Sequence, residues 1–430
     1  MPSPRRGGAA APSQVGHVTC LGCGCACDDI VLTIAKGRIT AAERACPLGI
    51  AWFGDGQVPD RVLVDGKPTD VQRAVDRAAA LLGEARGRLV VVLGAELTAS
   101  AYGAALALAD ALGAVTDSVI SEPAAAGILA AQRRGRATAT LGEIRNRADL
   151  MVYWAVDPDR RYPRYRSRYA AASRALHLAA GDHPRTVVSV TVGGDAGPAD
   201  ADLRLVLTPD QELLALAELR AGLQGRHLGG EALPPGVAEL AGRLTQAKYV
   251  AIVHDGEPTA ERRTPERIEG LIGLTQALNG PTRAALSTLR AGGNRNGAEA
   301  VSTWQTGFPF AVDFSRGAPR YQPHRRAGGA DGSSPSAVLV VGAPESLSDP
   351  LRASVQRVPV VVIGPRASAA PFPATIAIDT GVAGIHEAGI GYRLDDIPLP
   401  LQAPLPGPRS AEALLRDLLA RVATASGAPR

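Results

Sequence analysis

Aromatic residues are scarce: only 4% of the 430 residues are Phe, Trp or Tyr, so a core of any size has to be assembled from Ala, Val, Leu and Ile. Lysine is nearly missing as well, at positions 36, 67 and 248 alone. The other cations are arginines interspersed with Asp and Glu, and the formal net charge is +4. Without a polybasic arm the chain carries no electrostatic footprint for nucleic acid. Long apolar runs are missing too. The longest uncharged one, LTASAYGAALALA at 97–109, lies between Glu96 and Asp110 and falls short of the roughly 20 residues a membrane span requires. An Arg pair at 5–6 is followed by Gly, Pro, Ser and Gln instead of an apolar stretch, so no export signal is expected. The expectation is a cytoplasmic protein with no membrane partner, whose thiols stay reduced or bind metal. No H-x-x-x-H or HExxH pair, G-x-S-x-G or Walker sequence occurs, which removes the zinc-hydrolase, serine-hydrolase and P-loop readings.

A chain of this length exceeds one ordinary core and divides into two or three domains. Apolar runs closed by Gly or Pro alternate with stretches of helical period. DVQRAVDRAAALLGEARG (70–87) places Val71, Ala74, Val75, Ala78, Leu81 and Leu82 on one face. RLVVVLGAE (88–96) reads as a strand buried on both sides, and the Ala/Leu-rich run after it as a helix stopped by Gly113. DLMVYWAVDP (149–158), TVVSVTV (186–192), KYVAIVHDG (248–256), SAVLVVGAP (336–344) and PVVVIGP (359–365) repeat the strand, and QELLALAELRAGL (211–223) the helix. This rhythm predicts a doubly wound α/β architecture with parallel sheets. Such sheets take ligands at the carboxyl ends of their strands, here the turns at Gly94, Asp157–Pro158, Gly256 and Gly342. Residues 316–336 and the Pro-rich stretch from Pro398 read as irregular surface. GVAGIHEAGIGYR (381–393) is rich in Gly but does not lead from a strand into a helix, as a dinucleotide-binding turn does.

All five cysteines fall within residues 20–46. Cys20, Cys23 and Cys27 are spaced C-x-x-C-x-x-x-C. Cys46 follows a stretch in which Ile30, Leu32 and Ile34 alternate, Lys36–Gly37 turns the chain and Ile39 resumes. A hairpin there returns Cys46 to the trio, so that four thiolates converge on one centre, with Cys25 left over as a spectator. Three ligands from one end and one from the other suit a cubane, each of whose irons takes one outward thiolate. A four-cysteine zinc site, which more often uses two separated C-x-x-C knuckles, is the alternative, as is an unoccupied remnant of either centre.

The run C-x-x-C-x-x-x-C-D-D-I, a hairpin, then C-P-x-G resembles the iron–sulfur domain that opens molybdenum- and tungsten-pterin oxidoreductases. It is most similar to that of the B-type subunit of formylmethanofuran dehydrogenase. TLGEIRNRADLMVYWAVDP (140–158), with Asp157 where Asn is usual, and RYPRYRSRYA (161–170) continue the resemblance, as do residues 185–214, 304–323 and 379–401. The resemblance implies a [4Fe–4S] cluster on Cys20, Cys23, Cys27 and Cys46. It also implies a four-cysteine domain at 17–57 and a first α/β domain in two parts, 58–116 and 247–402. A second α/β domain at 117–246 is inserted in the first, with tails at 1–16 and 403–430.

The resemblance breaks at one loop. Where catalytic members carry a Cys or selenocysteine metal ligand followed by His, in a C-H-G-P pattern, this chain reads I-S-E-P. Ile120 stands at the thiolate position, Ser121 at the histidine position, and Glu122 follows. Ile has no donor atom; rescue by a Ser121 or Glu122 oxygen needs a shift of one or two residues and still leaves no histidine. A molybdenum- or tungsten-bis-pterin dinucleotide is therefore not expected. Arg161, Arg164 and Arg168 are candidates for pterin phosphates or for a subunit interface in which Tyr162, Tyr165 and Tyr169 pack. The resemblance implies a non-redox structural subunit of the formyltransferase/hydrolase complex of tetrahydromethanopterin- and methylofuran-linked one-carbon metabolism. Its companions would be amidohydrolase-like, formyltransferase-like and glutamate-synthase-like subunits. The alternative is the catalytic molybdenum/tungsten-pterin subunit of a formylmethanofuran dehydrogenase, which makes formylmethanofuran from CO2 and methanofuran. A third reading is a zinc-stapled structural protein.

Overall fold

The structure, a computed structural model, describes residues 11–425 except 119, 121, 172–184, 227–233, 263, 324–334, 348–351 and 354. The chain forms two units, Met1–Val119 with Gly292–Arg430, and Ile120–Ala291. No helix among the described residues is long and apolar enough to cross a membrane.

The first unit opens with a three-stranded antiparallel sheet, Ser13–Val18, Ile30–Ala35 and Arg38–Glu43. Lys36 and Gly37 both have positive φ, 53° and 70°, the pair of left-handed residues that a two-residue hairpin turn needs to match the twist of its strands. Ile30, Leu32 and Ile39 are buried by the hairpin. The first sixteen residues, expected as a tail, include the start of the edge strand: Ser13, Gln14 and Val15 pair with Ile34, Thr33 and Leu32.

Behind this domain lies a nine-stranded sheet. Its parallel centre runs Val115–Ser118, Leu89–Leu93, Ala337–Val341, Val360–Gly364, Ile376–Asp379, and short antiparallel strands extend both edges. Every residue of these five strands is buried; four of them show continuous apolar runs and no alternation, while Val115–Ser118 buries Thr116, Asp117 and Ser118. Val91, Leu339, Val361 and Ile376 face the helices Val71–Glu84 and Ala99–Ala111, while Val90, Val338, Val360 and Ala377 face Leu347, Val355 and Phe372. Asp70 and Thr98 start the two helices by accepting the N–H groups of Arg73 and Ala101. The segment 403–430, expected as a tail, instead supplies a third helix, Ala411–Ala425. Leu414, Leu415, Leu418 and Val422 recur at helical spacing, are buried, and pack on both preceding helices. Pro398–Leu401, expected as irregular, pairs with Gly389–Tyr392.

The second unit is a five-stranded, all-parallel sheet in the order Leu203–Leu207, Thr186–Val192, Leu150–Trp154, Tyr249–Asp255, Arg283–Leu289. The insertion therefore ends at Ala291 and not at 246, because Tyr249–Asp255 pairs with Leu150–Trp154 and Arg283–Leu289 in this sheet. Its interior holds buried charged groups that the hydrophobic pattern does not announce. Glu212, on the helix Pro209–Leu223, accepts the indole N–H of Trp154 at 2.8 Å and the Nε–H of Arg267. Arg185 is also buried. It donates to the main-chain carbonyls of Ile144, Arg145 and Ala148, closing the C-terminus of the helix Leu141–Arg147 with a cation.

Candidate metal centre and the strand-end loops

Cys20, Cys23 and Cys27 lie on a loop closed by its own backbone: Cys20 N–H donates to Cys27 O at 2.8 Å and Ala26 N–H to Cys23 O at 3.1 Å. Cys46 stands immediately before the short helix Pro47–Phe53, where the hairpin delivers it. Two glycines permit the approach of loop and helix. A Cβ on Gly22 would lie 2.6 Å from Leu48 O, and one on Gly49 3.1 Å from Cys20 Sγ. Gly22 N–H donates to Cys20 Sγ at 3.3 Å. Burial pushes the Cys20 thiol up to about 12, and the like charges of Cys23, Cys27 and Cys46 each add to the rise. Cys23, Cys27 and Cys46 thus lie within electrostatic reach of Cys20. Cys25 is buried. All five cysteines are thiols. Among the described residues no group of three or more His, Cys, Asp or Glu is set to hold a single metal ion.

At the degenerate loop, Ile120 is buried, 4% exposed, with no donor atom to offer a metal. Ser121 and the Glu122 side chain lie outside the described residues. Ile120 itself offers no ligand to molybdenum or tungsten.

Tyr162, Tyr165 and Tyr169 are 2%, 0% and 5% exposed, so they pack within their own unit and not against another subunit. The arginines among them are engaged locally. Arg161 Nε is 3.0 Å from Asp255 Oδ2 and its Nη1 donates to Pro258 O at 2.8 Å. Arg168 lies over the Tyr169 ring, 5.3 Å from its centre, and Arg164 O accepts the Arg168 N–H at 3.1 Å. Arg166 joins Asp159 and Asp200. The Gly256 turn proves richer than its glycine suggested. Asp255 accepts the Tyr162 hydroxyl at 2.8 Å and Glu257 N–H at 2.9 Å, and Glu257 meets Arg290 at 3.3 Å. Burial pushes the Asp255 carboxyl up, and Arg161 pulls it back. The signal was in the sequence, two acids flanking a glycine at a strand end.

The Gly-rich stretch 381–393 forms a tight loop in which Val382 O accepts three successive N–H groups, from Ile385, His386 and Glu387. His386 Nδ1 accepts Val382 N–H at 3.2 Å, so its proton is on Nε2, which donates to Gly56 O at 2.9 Å. Glu387 takes Ala411 N–H at 3.0 Å and thereby starts the C-terminal helix. Burial lowers the His386 pKa, so the fold favours the neutral ring. That stabilisation is complete above pH 6.5 and is lost as pH falls through the lowered native value. The stability gap between wild type and His386→Gln is expected to narrow between pH 8 and pH 5 in urea titrations; a constant gap contradicts the assignment.

A four-cysteine N-terminal region ahead of two α/β units with parallel sheets, one inserted in the other, defines the class of the chain. No family model matches the chain. It is 30% identical over 421 residues to the B-type subunit of the tungsten-containing formylmethanofuran dehydrogenase 2 of Methanocaldococcus jannaschii, across 94% of this chain and 96% of that one. The namesake from Methanococcus maripaludis is 28% identical across 93% and 95%. The B-type subunit of the formyltransferase/hydrolase complex Fhc of Methylorubrum extorquens is 33% identical over 276 residues, 61% of this chain and 68% of that one. A chain in the crystal structure of the formyltransferase/hydrolase complex (FhcABCD) of Methylorubrum extorquens with methylofuran superimposes with a TM-score of 0.70 and 28% identity, over 85% of this chain and 100% of that one. The chain belongs to the family of formylmethanofuran dehydrogenase B-type subunits.

Proposed function

We propose that this chain is the non-redox, B-type subunit of a cytoplasmic formyltransferase/hydrolase complex in tetrahydromethanopterin- and methylofuran-linked one-carbon metabolism. It holds a [4Fe–4S] cluster on Cys20, Cys23, Cys27 and Cys46, binds no molybdenum- or tungsten-bis-pterin, and supports amidohydrolase-like, formyltransferase-like and glutamate-synthase-like partners that do the chemistry. The observation that carries this reading is Ile120: a buried hydrocarbon stands where a redox member needs a metal ligand. The likeness to a chain of the FhcABCD complex supports it. A bound cluster supplies one-electron transfer in general. In a chain with no second redox centre, the four thiolates and the Gly22 N–H serve to staple the N-terminal loop to the helix at Pro47. The full-length likeness to the tungsten-containing relatives, with the quartet intact, favours the catalytic reading. That reading still lacks both the thiolate and the histidine beside it. Isolating the tagged chain with its native partners is the test. Formyltransferase-like and amidohydrolase-like subunits, releasing formate without reducing a viologen dye, are expected. Polyferredoxin-like partners with viologen reduction contradict the proposal.

A further inference from the structure

A doubly wound sheet receives its ligand at the carboxyl ends of its strands, where the order reverses. In the second unit that point falls between Leu150–Trp154 and Tyr249–Asp255. Ligands bearing phosphates are held at such places by main-chain N–H groups and guanidinium forks. Both kinds of donor are present here, and both face the chain's own carboxylates. Asp195, in the loop after Thr186–Val192, accepts Ala260 N–H on Oδ1 at 2.8 Å and Glu261 N–H on Oδ2 at 3.1 Å. Glu261 reaches back, and its Oε1 accepts Gly194 N–H at 3.1 Å. The two loops are thus clasped by reciprocal carboxylate contacts, with the Glu261 carboxylate standing 2.2 Å from where a Cβ on Gly193 would lie. Arg161 is held on Asp255, whose side chain is 0% exposed. The cavity left beside the clasp measures about 280 Å³, and its charged lining is Asp157, Asp195, Arg160 and Arg161, the last held on Asp255. That volume is at or below the ~300–1,000 Å³ of ordinary cofactor pockets.

The first unit carries one contact of this kind. Leu89–Leu93 and Ala337–Val341 end side by side at Gly94 and Gly342, and Glu96 Oε2 accepts Ala343 N–H at 3.1 Å. Burial pushes the Glu96 carboxyl up, while the Ala343 N–H and the Arg295 charge pull it back.

We infer that Asp195 with Glu261 in the second unit, and Glu96 in the first, are resident anions: they occupy the donors a phosphate needs, so both strand-end sites reject phosphate-bearing nucleotides and pterins. This goes beyond the loss of a metal ligand at Ile120, since it concerns the cofactor's phosphates and not its metal. A phosphate entering either site displaces a carboxylate from its N–H partners and lies against that carboxylate's charge.

Equilibrium dialysis of the intact complex at pH 8 against GDP and inorganic pyrophosphate tests it. Wild type is expected to show no saturable binding up to roughly 1 mM, and Asp195→Ala to bind pyrophosphate at least about tenfold more tightly than wild type. Saturable wild-type binding of either probe below roughly 0.1 mM overturns the inference. So does an Asp195→Ala protein that keeps the wild-type urea midpoint and gains no affinity. Should that variant fail to fold, the wild-type measurement and Glu96→Ala, held to the same tenfold gain, decide the matter. GDP bound in a complex free of molybdenum and tungsten overturns this inference alone, whereas either metal in the preparation overturns the reading of Ile120.

Discussion

Glu212→Ala is expected to cost the second unit about 3–5 kcal/mol, out of the 5–15 kcal/mol that ordinarily holds a domain together. Glu212 is fully buried and accepts from two elements at once, Trp154 Nε1 at the end of the strand Leu150–Trp154 and Arg267 Nε at the start of the helix Pro265–Leu278. Among the described residues, alanine leaves a guanidinium 11% exposed with the Arg262 carbonyl, 2.5 Å away, as its one remaining partner. It also strands the indole N–H and opens a void. Glu212→Gln keeps an acceptor for the indole but not the charge, and is expected to lose about half as much. Trp154 reports the transition by fluorescence in urea. A loss below about 1 kcal/mol for Glu212→Ala contradicts a structural role for the triad.

The second large effect concerns the thiol quartet. Cys46→Ala is expected to reduce bound iron from about four atoms per chain to less than one and to remove the visible absorbance, because a cubane corner without its thiolate exposes iron to solvent. Cys25→Ala is expected to keep both. The same geometry gives the proton balance. With burial and three neighbouring thiols holding Cys20 near 12, the metal-free Cys20 thiol is protonated at neutral pH, so its binding to a cluster releases a proton. Full iron retention in Cys46→Ala contradicts the assignment of Cys46 as a ligand.

Local chemistry was what the sequence displayed most clearly. Lys36–Gly37 between alternating isoleucines specifies a two-residue turn on its own, and the turn is what returns Cys46 to Cys20, Cys23 and Cys27. Continuous apolar runs likewise specify buried parallel strands, as in Leu89–Leu93 and Val360–Gly364. Such runs do not specify which sheet they join, because a strand buried on both faces looks alike in either. For that reason Tyr249–Asp255 reads from sequence as part of the other unit, and Arg283–Leu289, interrupted by Ser287 and Thr288, shows no run at all. The C-terminal helix is masked by the prolines ahead of it, although Leu414, Leu415, Leu418 and Val422 carry the helical period. Contacts such as Asp195 with Ala260 join positions 65 apart, and no local pattern announces them.

The central claim is a cluster-bearing chain that has lost its redox metal, and metal analysis of the complex purified without oxygen tests it most directly. About four irons per copy of this chain with neither molybdenum nor tungsten is the expected result. Stoichiometric tungsten or molybdenum with a pterin would contradict it, and would return the chain to the catalytic role that Ile120 denies it.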